Sequence, residues 1–289
     1  MAEFVSTREN KAVNLTHIRC TAIETDVTVF LFHGAMGSSK QFCKILPDLQ
    51  SKYNVCMYDA LGCGDSEKPH AYSDYTSQSL CEDAVIVYRK YSTKHNIIVG
   101  HSFGTCIATW IAKEDAQSNV SGSSIDGKFS RITAVILLGT ALSAESVPIF
   151  NWPLLFLRCL SNVLASEGTK VLLSPTASEE LKAEVLRANK ANDMFVVKAF
   201  WSQFKWASSE DFLYLNHYPL MIIQSSDDVL TPTAKGKALF DFLQQNRTAA
   251  SSSDGNMVFH EIQGSGHLMM LEQPVEISRL INGFIQKYV

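Results

Sequence analysis

The sequence lacks any run of about 20 uninterrupted apolar residues, so it offers no membrane span. Its longest apolar stretch, IFNWPLLFLRCLSNVLASEGTKVLL, is broken by Asn151, Pro153, Arg158, Asn162, Glu167, Gly168 and Lys170. A peripheral membrane contact stays open. The first residues, MAEFVSTRENKAV, have neither the apolar core of a signal peptide nor a glycine for myristoylation, and the terminal IQKYV is no prenylation or peroxisomal signal. The expected location is cytoplasmic, and the N-x-S/T triplets at Asn14, Asn119 and Asn246 are read as chance matches. Basic excess is also missing: 25 Lys and Arg face 29 Asp and Glu, which argues against nucleic acid as a partner. The seven cysteines (20, 43, 56, 63, 81, 106 and 159) include no C-x-x-C pair and no zinc-like spacing. They read as small buried thiols in a reducing compartment. No Walker pattern and no H-E-x-x-H occur, and Gly62-x-Gly64 has Glu67 where a dinucleotide site needs a third glycine. No cofactor and no metal are expected. No internal repeat is apparent.

What is present is a chain of 289 residues, 46% hydrophobic and 19% charged, enough for one large α/β domain with an insertion. Short apolar runs rich in β-branched residues alternate with helical patterns, which points to a parallel sheet between helical layers. The strands expected are 27–33, 54–59, 96–101, 133–139, 219–225 and 258–263, with NLTHIRCTAIE alternating like a half-exposed hairpin strand. Helices are expected over 39–52 (despite Pro47), 74–92 and 103–116. The alternation stops after Gly139, and helical patterns such as ASEELKAEVLRANKA and DMFVVKAFWSQFKW fill the gap. Residues 143–218 therefore read as a helical cap inserted into a core made of 1–142 and 219–289. The polar stretches 117–130 and 245–256 read as surface loops.

Gly100-His101-Ser102-Phe103-Gly104 fits G-x-S-x-G. Composition alone would produce that pattern in about one chain in ten of this length. Its setting decides, because it follows an apolar strand and opens a helix, as a nucleophile elbow must. At so sharp a turn a Cβ at 100 or 104 would clash, while Ser102 would be strained, with its hydroxyl raised above the sheet at a helix N-terminus. A serine hydroxyl needs a base. His267 in GSGHLMMLEQP follows the last strand, in a loop where Gly264 and Gly266 free the backbone to aim the ring. His260 lies within that strand and reads as structural, His101 is held inside the elbow pointing away from Ser102, and His33 ends a strand beside the proposed oxyanion loop. A carboxylate to orient the base comes from Asp227 or Asp228 in IIQSSDDVLTP. The oxyanion donors expected are the backbone N–H groups of Phe103 and of Ala35 in FHGAMGSS.

In that order, HGAMGSS, DALGCGDSEKP, GHSFG, SSDDVLTP and GSGHLMMLEQP resemble the signatures of the α/β-hydrolase superfamily over about residues 27–288. IFNWPLLFLRCLS and RANKANDMFVVKAFWSQ add a resemblance to the animal α/β-hydrolase domain-containing proteins, the eighth-member branch especially. The resemblance implies an α/β-hydrolase fold, mostly parallel, with helices on both faces. It implies Ser102 as nucleophile, His267 as base, Ala35 and Phe103 as oxyanion donors, and Asp228 as the acid, since the family's acid commonly stands four residues before a proline, here Pro232. Two positions depart from the family: Ser225 replaces a frequent glycine, and Glu272 replaces the Asp of the H-x-x-x-x-D pattern of acyltransferase-like relatives. A serine nucleophile argues against epoxide hydrolases and dehalogenases, which use aspartate. The expected function is hydrolysis of carboxylic esters or thioesters, small or lipid-like, through an acyl-enzyme. Acyl transfer by the same residues and a catalytically idle binding or scaffold protein are the alternatives. Nothing in the sequence bears on oligomeric state.

Overall fold

The computed structural model describes residues 2–8, 11–19, 23–121, 131–144, 147–247 and 257–289. Eight strands of these residues form one sheet: β1 (Ala2–Ser6), β2 (Ala12–Ile18), β3 (Val27–Phe32), β4 (Asn54–Tyr58), β5 (His95–His101), β6 (Arg131–Leu138), β7 (Leu220–Ser225) and β8 (Met257–Ile262). Their order across the sheet is β1-β2-β4-β3-β5-β6-β7-β8. The pairs β1–β2 and β2–β4 are antiparallel and the rest parallel. The fold is the mostly parallel, helix-flanked sheet that the sequence led us to expect.

Strands β3 and β7 are buried at every position, because each of their faces supplies a separate apolar layer. Phe30, Phe32, Tyr58, Ile98, Val135 and Ile222 point to the side covered by α2 (Ser77–Tyr91) and α3 (Phe103–Ser121). The alternate residues Val29, Leu31, Val99, Ile136 and Ile223 join the opposite layer.

Helix formation follows local chemistry. Thr76 caps α2 by accepting from the Ser79 N–H. The expected helix over 39–52 is instead a 3₁₀ turn (Ser39–Phe42) followed by a short α1 (Leu46–Gln50). Pro47 stands at the start of α1, where its missing N–H costs no hydrogen bond, so it begins a helix rather than interrupting one. Helix α3 runs to Ser121, so residues 117–121 of the expected loop are helical, and the rest of that loop lies outside the described residues. Most of the expected loop at 245–256 also lies outside them.

Between β6 and β7 come α4 (Leu154–Leu172), α5 (Glu179–Lys190), α6 (Met194–Ser202) and α7 (Ser209–Phe212). Ser178, Asp193 and Ser208 cap the last three. Then follow α8 (Thr233–Gln245), α9 (Met269–Glu272) and α10 (Pro274–Ile285). The chain passes from β3 to β4 on one side of the sheet and then crosses to β5 on the other. In open parallel sheets, such a reversal leaves a crevice at the carboxyl ends of the two central strands, where ligands bind. Here those ends carry Gly34–Gly37 and Ser102.

Candidate active site

Ser102 follows β5 and precedes α3 with φ of 52°, one of two non-glycine residues in the left-handed region among those described. Such a conformation costs on the order of 1–3 kcal/mol and persists only where the surroundings impose it. They do. The Ser102 N–H donates to the Leu138 carbonyl at 2.9 Å, and its own carbonyl accepts from the Thr105 N–H and hydroxyl at 2.8 and 2.7 Å. A Cβ at residue 100 would lie 2.2 Å from the Gly104 oxygen, and one at 104 would lie 2.1 Å from the Phe32 oxygen. The two glycines let α3 start directly against β3 and β5, and that approach forces the turn at Ser102.

His267 lies in the loop between β8 and α9, buried, with Nδ1 2.7 Å from Asp228 Oδ2. Asp228 is equally buried and saturated with donors: the Leu230 and Thr231 N–H groups reach Oδ1 at 2.8 Å each, and the Thr231 hydroxyl reaches Oδ2 at 2.6 Å. Burial opposes ionisation of this carboxyl, but His267 and Thr231 outweigh it and bring its pKa down to about 2. An ionised carboxylate only accepts, so Nδ1 carries a proton and Nε2 is the ring nitrogen left to face another partner. Asp227 turns elsewhere, accepting from the Ser226 and Ser174 hydroxyls at 2.7 and 2.8 Å. Ser225, in the place of a frequent glycine, is buried and paired with the Ser265 hydroxyl at 2.8 Å.

No hydrogen bond joins Ser102 to His267 among the described residues; the residue between Gly100 and Ser102 connects them instead. His101 Nε2 donates to the His267 carbonyl at 2.9 Å, and the two rings lie 4.7 Å apart. Burial and the neighbouring imidazole lower the His101 pKa to about 3, so its ring is neutral. Neither His101 nor Thr231 was singled out from sequence as part of the site. Thr231, three residues after Asp228, fits a local side-chain-to-backbone pattern that could have been recognised. Nothing in the sequence marks the bond of His101 across 166 residues.

Ala35 and Met36 form the turn closed by Gly37 N–H to Gly34 O at 3.0 Å, with Met36 at φ 54°. A Cβ on Gly34 would lie 3.0 Å from Ser102 Cβ, which places this turn against the elbow. His33 holds it there: Nε2 accepts from the Ala60 N–H at 2.8 Å, so Nδ1–H donates to the Gly34 carbonyl at 2.7 Å. Phe103 is the first residue of α3, so its N–H has no acceptor within the helix. His260 stays in β8, in register with Ile223. Among the described residues no cluster of His, Cys, Asp or Glu could hold a metal ion, and no helix is long and apolar enough to cross a membrane.

The family of the alpha/beta hydrolase fold matches residues 27–274. The chain belongs to that family. Among curated proteins this hydrolase-fold chain is similar to human Protein ABHD8, 25% identical over 275 residues that cover 92% of this chain and 56% of that protein. It thus spans about half the length of the ABHD8 relatives it matches. The uncharacterized hydrolase YugF of Bacillus subtilis is 26% identical over 268 residues, 90% of each chain. A thermophilic esterase from Thermogutta terrifontis superposes with a TM-score of 0.78 at 16% identity, covering 100% of this chain and 99% of that one. An esterase from Exiguobacterium antarcticum does so at 0.78 and 12%, covering 99% and 100%. At these identities the two esterases speak for the fold.

Proposed function

We propose that the protein is a serine hydrolase that cleaves carboxylic esters or thioesters. The observation that carries this reading is the buried Asp228–His267 pair at 2.7 Å, tied through His101 to the strained turn that presents Ser102. Asp228 stays ionised and holds the Nδ1 proton, so Nε2 of His267 accepts the proton of the Ser102 hydroxyl as that oxygen attacks the substrate carbonyl. The oxyanion that forms is held by the N–H groups of Phe103 and Ala35, each donor supplying about 3–4 kcal/mol of transition-state stabilisation. His267 then returns its proton to the departing alcohol or thiol, and water activated by the same ring releases the acid from the acyl-enzyme.

Residues 143–218 serve as a cap over this centre. The Phe103 ring packs edge-on against Phe200 at 5.1 Å and lies 6.0 Å from Phe204, and Trp201 continues the cluster. This apolar wall favours an apolar or lipid-like acyl group.

The test is labelling with a fluorophosphonate probe, together with a panel of p-nitrophenyl esters of increasing acyl length. The wild-type chain should be labelled and should hydrolyse esters, and Ser102→Ala should do neither. Equal labelling of the variant would overturn the assignment. Product analysis with an added acceptor alcohol separates hydrolysis from acyl transfer.

A further inference from the structure

The backbone around His267 is gripped from three directions, and two of the grips lead to the end of α4. The Gly266 N–H donates to Glu272 Oε1 at 2.9 Å, the His267 carbonyl accepts from His101, and the Leu268 N–H donates to the Leu172 carbonyl at 3.0 Å. Leu172 is the last residue of α4, where carbonyls have no partner within the helix, so the bond from Leu268 satisfies the helix end. Glu272 closes the second grip. Its other oxygen, Oε2, accepts from the Ser174 N–H at 3.0 Å, so one carboxylate bridges the histidine loop and the exit of α4. The two backbones are in direct contact, for a Cβ on Gly266 would sit 2.5 Å from Ser174 N and 2.6 Å from the Leu173 carbonyl carbon. Ser174 also donates its hydroxyl to Asp227, next to the carboxylate that orients His267.

This junction is built at a cost. Glu272 is half-buried near Asp227 and Asp228, and burial followed by those charges makes its ionisation unfavourable, an effect that the two N–H bonds oppose. A side chain needed only to fill that space would not have to be a third acid.

We propose that Glu272 is a positioning residue for His267, strapping the histidine loop to the C-terminal end of α4 so that the set of the cap fixes the alignment of the base. The proposal rests on the hydrolase reading given above. It also gives the tandem Asp227-Asp228 a division of labour: Asp228 orients the ring and Asp227 anchors the cap through Ser174.

The experiment compares wild type, Glu272→Ala and Glu272→Gln; the Gln variant keeps one acceptor and serves if the Ala variant folds poorly. Amide exchange followed by NMR should accelerate at residues 174 and 266 in both variants while β3 and β5 keep their protection. With a p-nitrophenyl ester, kcat should fall by about 10- to 100-fold in Glu272→Ala and less in Glu272→Gln, with KM within about twofold, as expected when a reacting group is misplaced by about an ångström. The rate of fluorophosphonate labelling should fall by the same factor. Unchanged exchange at 174 and 266 would show that the strap does not hold the loop. Faster exchange with unchanged kcat would reduce Glu272 to a structural role. Either result overturns this inference alone. A wild-type chain inert to both ester and probe would instead overturn the hydrolase reading and the positioning role with it.

Discussion

Asp227 and Asp228 are adjacent and chemically alike, yet the fold gives them different work. Asp228 is buried against His267 with four hydrogen bonds on its two oxygens, and Asp227 bonds two serine hydroxyls nearer the surface. Asp228→Asn should lower kcat by about 10³- to 10⁴-fold, because the amide leaves the imidazole in the wrong tautomer. Asp227→Asn should stay within about tenfold of wild type, and steady-state kinetics on one ester checks both. Acid stability tests His101. Its pKa of about 3 in the fold lies below the ordinary 6.5, so from pH 6.5 downward the unfolded chain takes up a proton that the folded ring refuses. Stability is therefore lost as pH falls through that window, by up to about 2 kcal/mol at pH 5. Asp228 is likewise held below its ordinary 3.8, at about 2, so its contribution has the same sign in a lower window: it is intact at pH 5 and is lost only as pH falls from about 3.8 toward 2. His101→Gln, which keeps a donor for the His267 carbonyl, should lose several degrees less Tm between pH 7.5 and 5.0 than wild type. An equal loss would assign the acid sensitivity elsewhere.

Among elements, legibility follows burial. Six parallel strands can be placed within two residues: the inner five are largely buried and read as near-continuous apolar runs, while the half-exposed edge strand β8 shows itself by the short run MVF before His260 and Glu261. Strand β1, AEFVS, went unrecognised because an edge strand of five residues alternates too briefly to signal itself. The far end of α3 reads as a loop in sequence because QSNVS is polar apart from one valine, a composition that helix ends and loops share. The elbow was legible because its requirement is steric. Gly100→Ala drives a methyl to 2.2 Å from a backbone oxygen, and backbone cannot yield as a side chain can. The variant should lose at least about 3 kcal/mol or fail to fold, as measured by urea denaturation. Gly283→Ala, exposed in α10 with no atom within 4 Å of the new methyl, should gain about 0.5–1 kcal/mol. A mild Gly100→Ala would mean that α3 does not need so close an approach to β5.

At the scale of the whole molecule, sequence reading reached the order of Ser102, acid and His267 but not the ties that close the structure, since those join residues far apart in the chain. The hairpin β1–β2 shows this. It precedes the family match at residue 27, yet it buries Val5, Val13 and Leu15 in the same apolar layer as α2 and α3. Just beyond β1, Arg8 makes a two-pronged contact with Asp83 on α2: Nε to Oδ1 and Nη2 to Oδ2, both at 3.1 Å. Burial raises the Asp83 carboxyl above its ordinary pKa even with the guanidinium in place, and Arg8, with a smaller share from the Thr7 side chain, is what opposes it. Removing one partner of such a pair typically costs about 3–5 kcal/mol, because the other is left buried and unanswered. Arg8→Met should therefore lower Tm by about 5–8 °C. The double variant Arg8→Met with Asp83→Leu should recover most of that loss, since apolar residues of similar volume ask for no counter-charge. Recovery would show that the tie contributes order rather than net stability, and that the hairpin is held chiefly by its apolar residues and its pairing with β4. If the double variant is as unstable as Arg8→Met, the ion pair itself fastens the hairpin to the sheet.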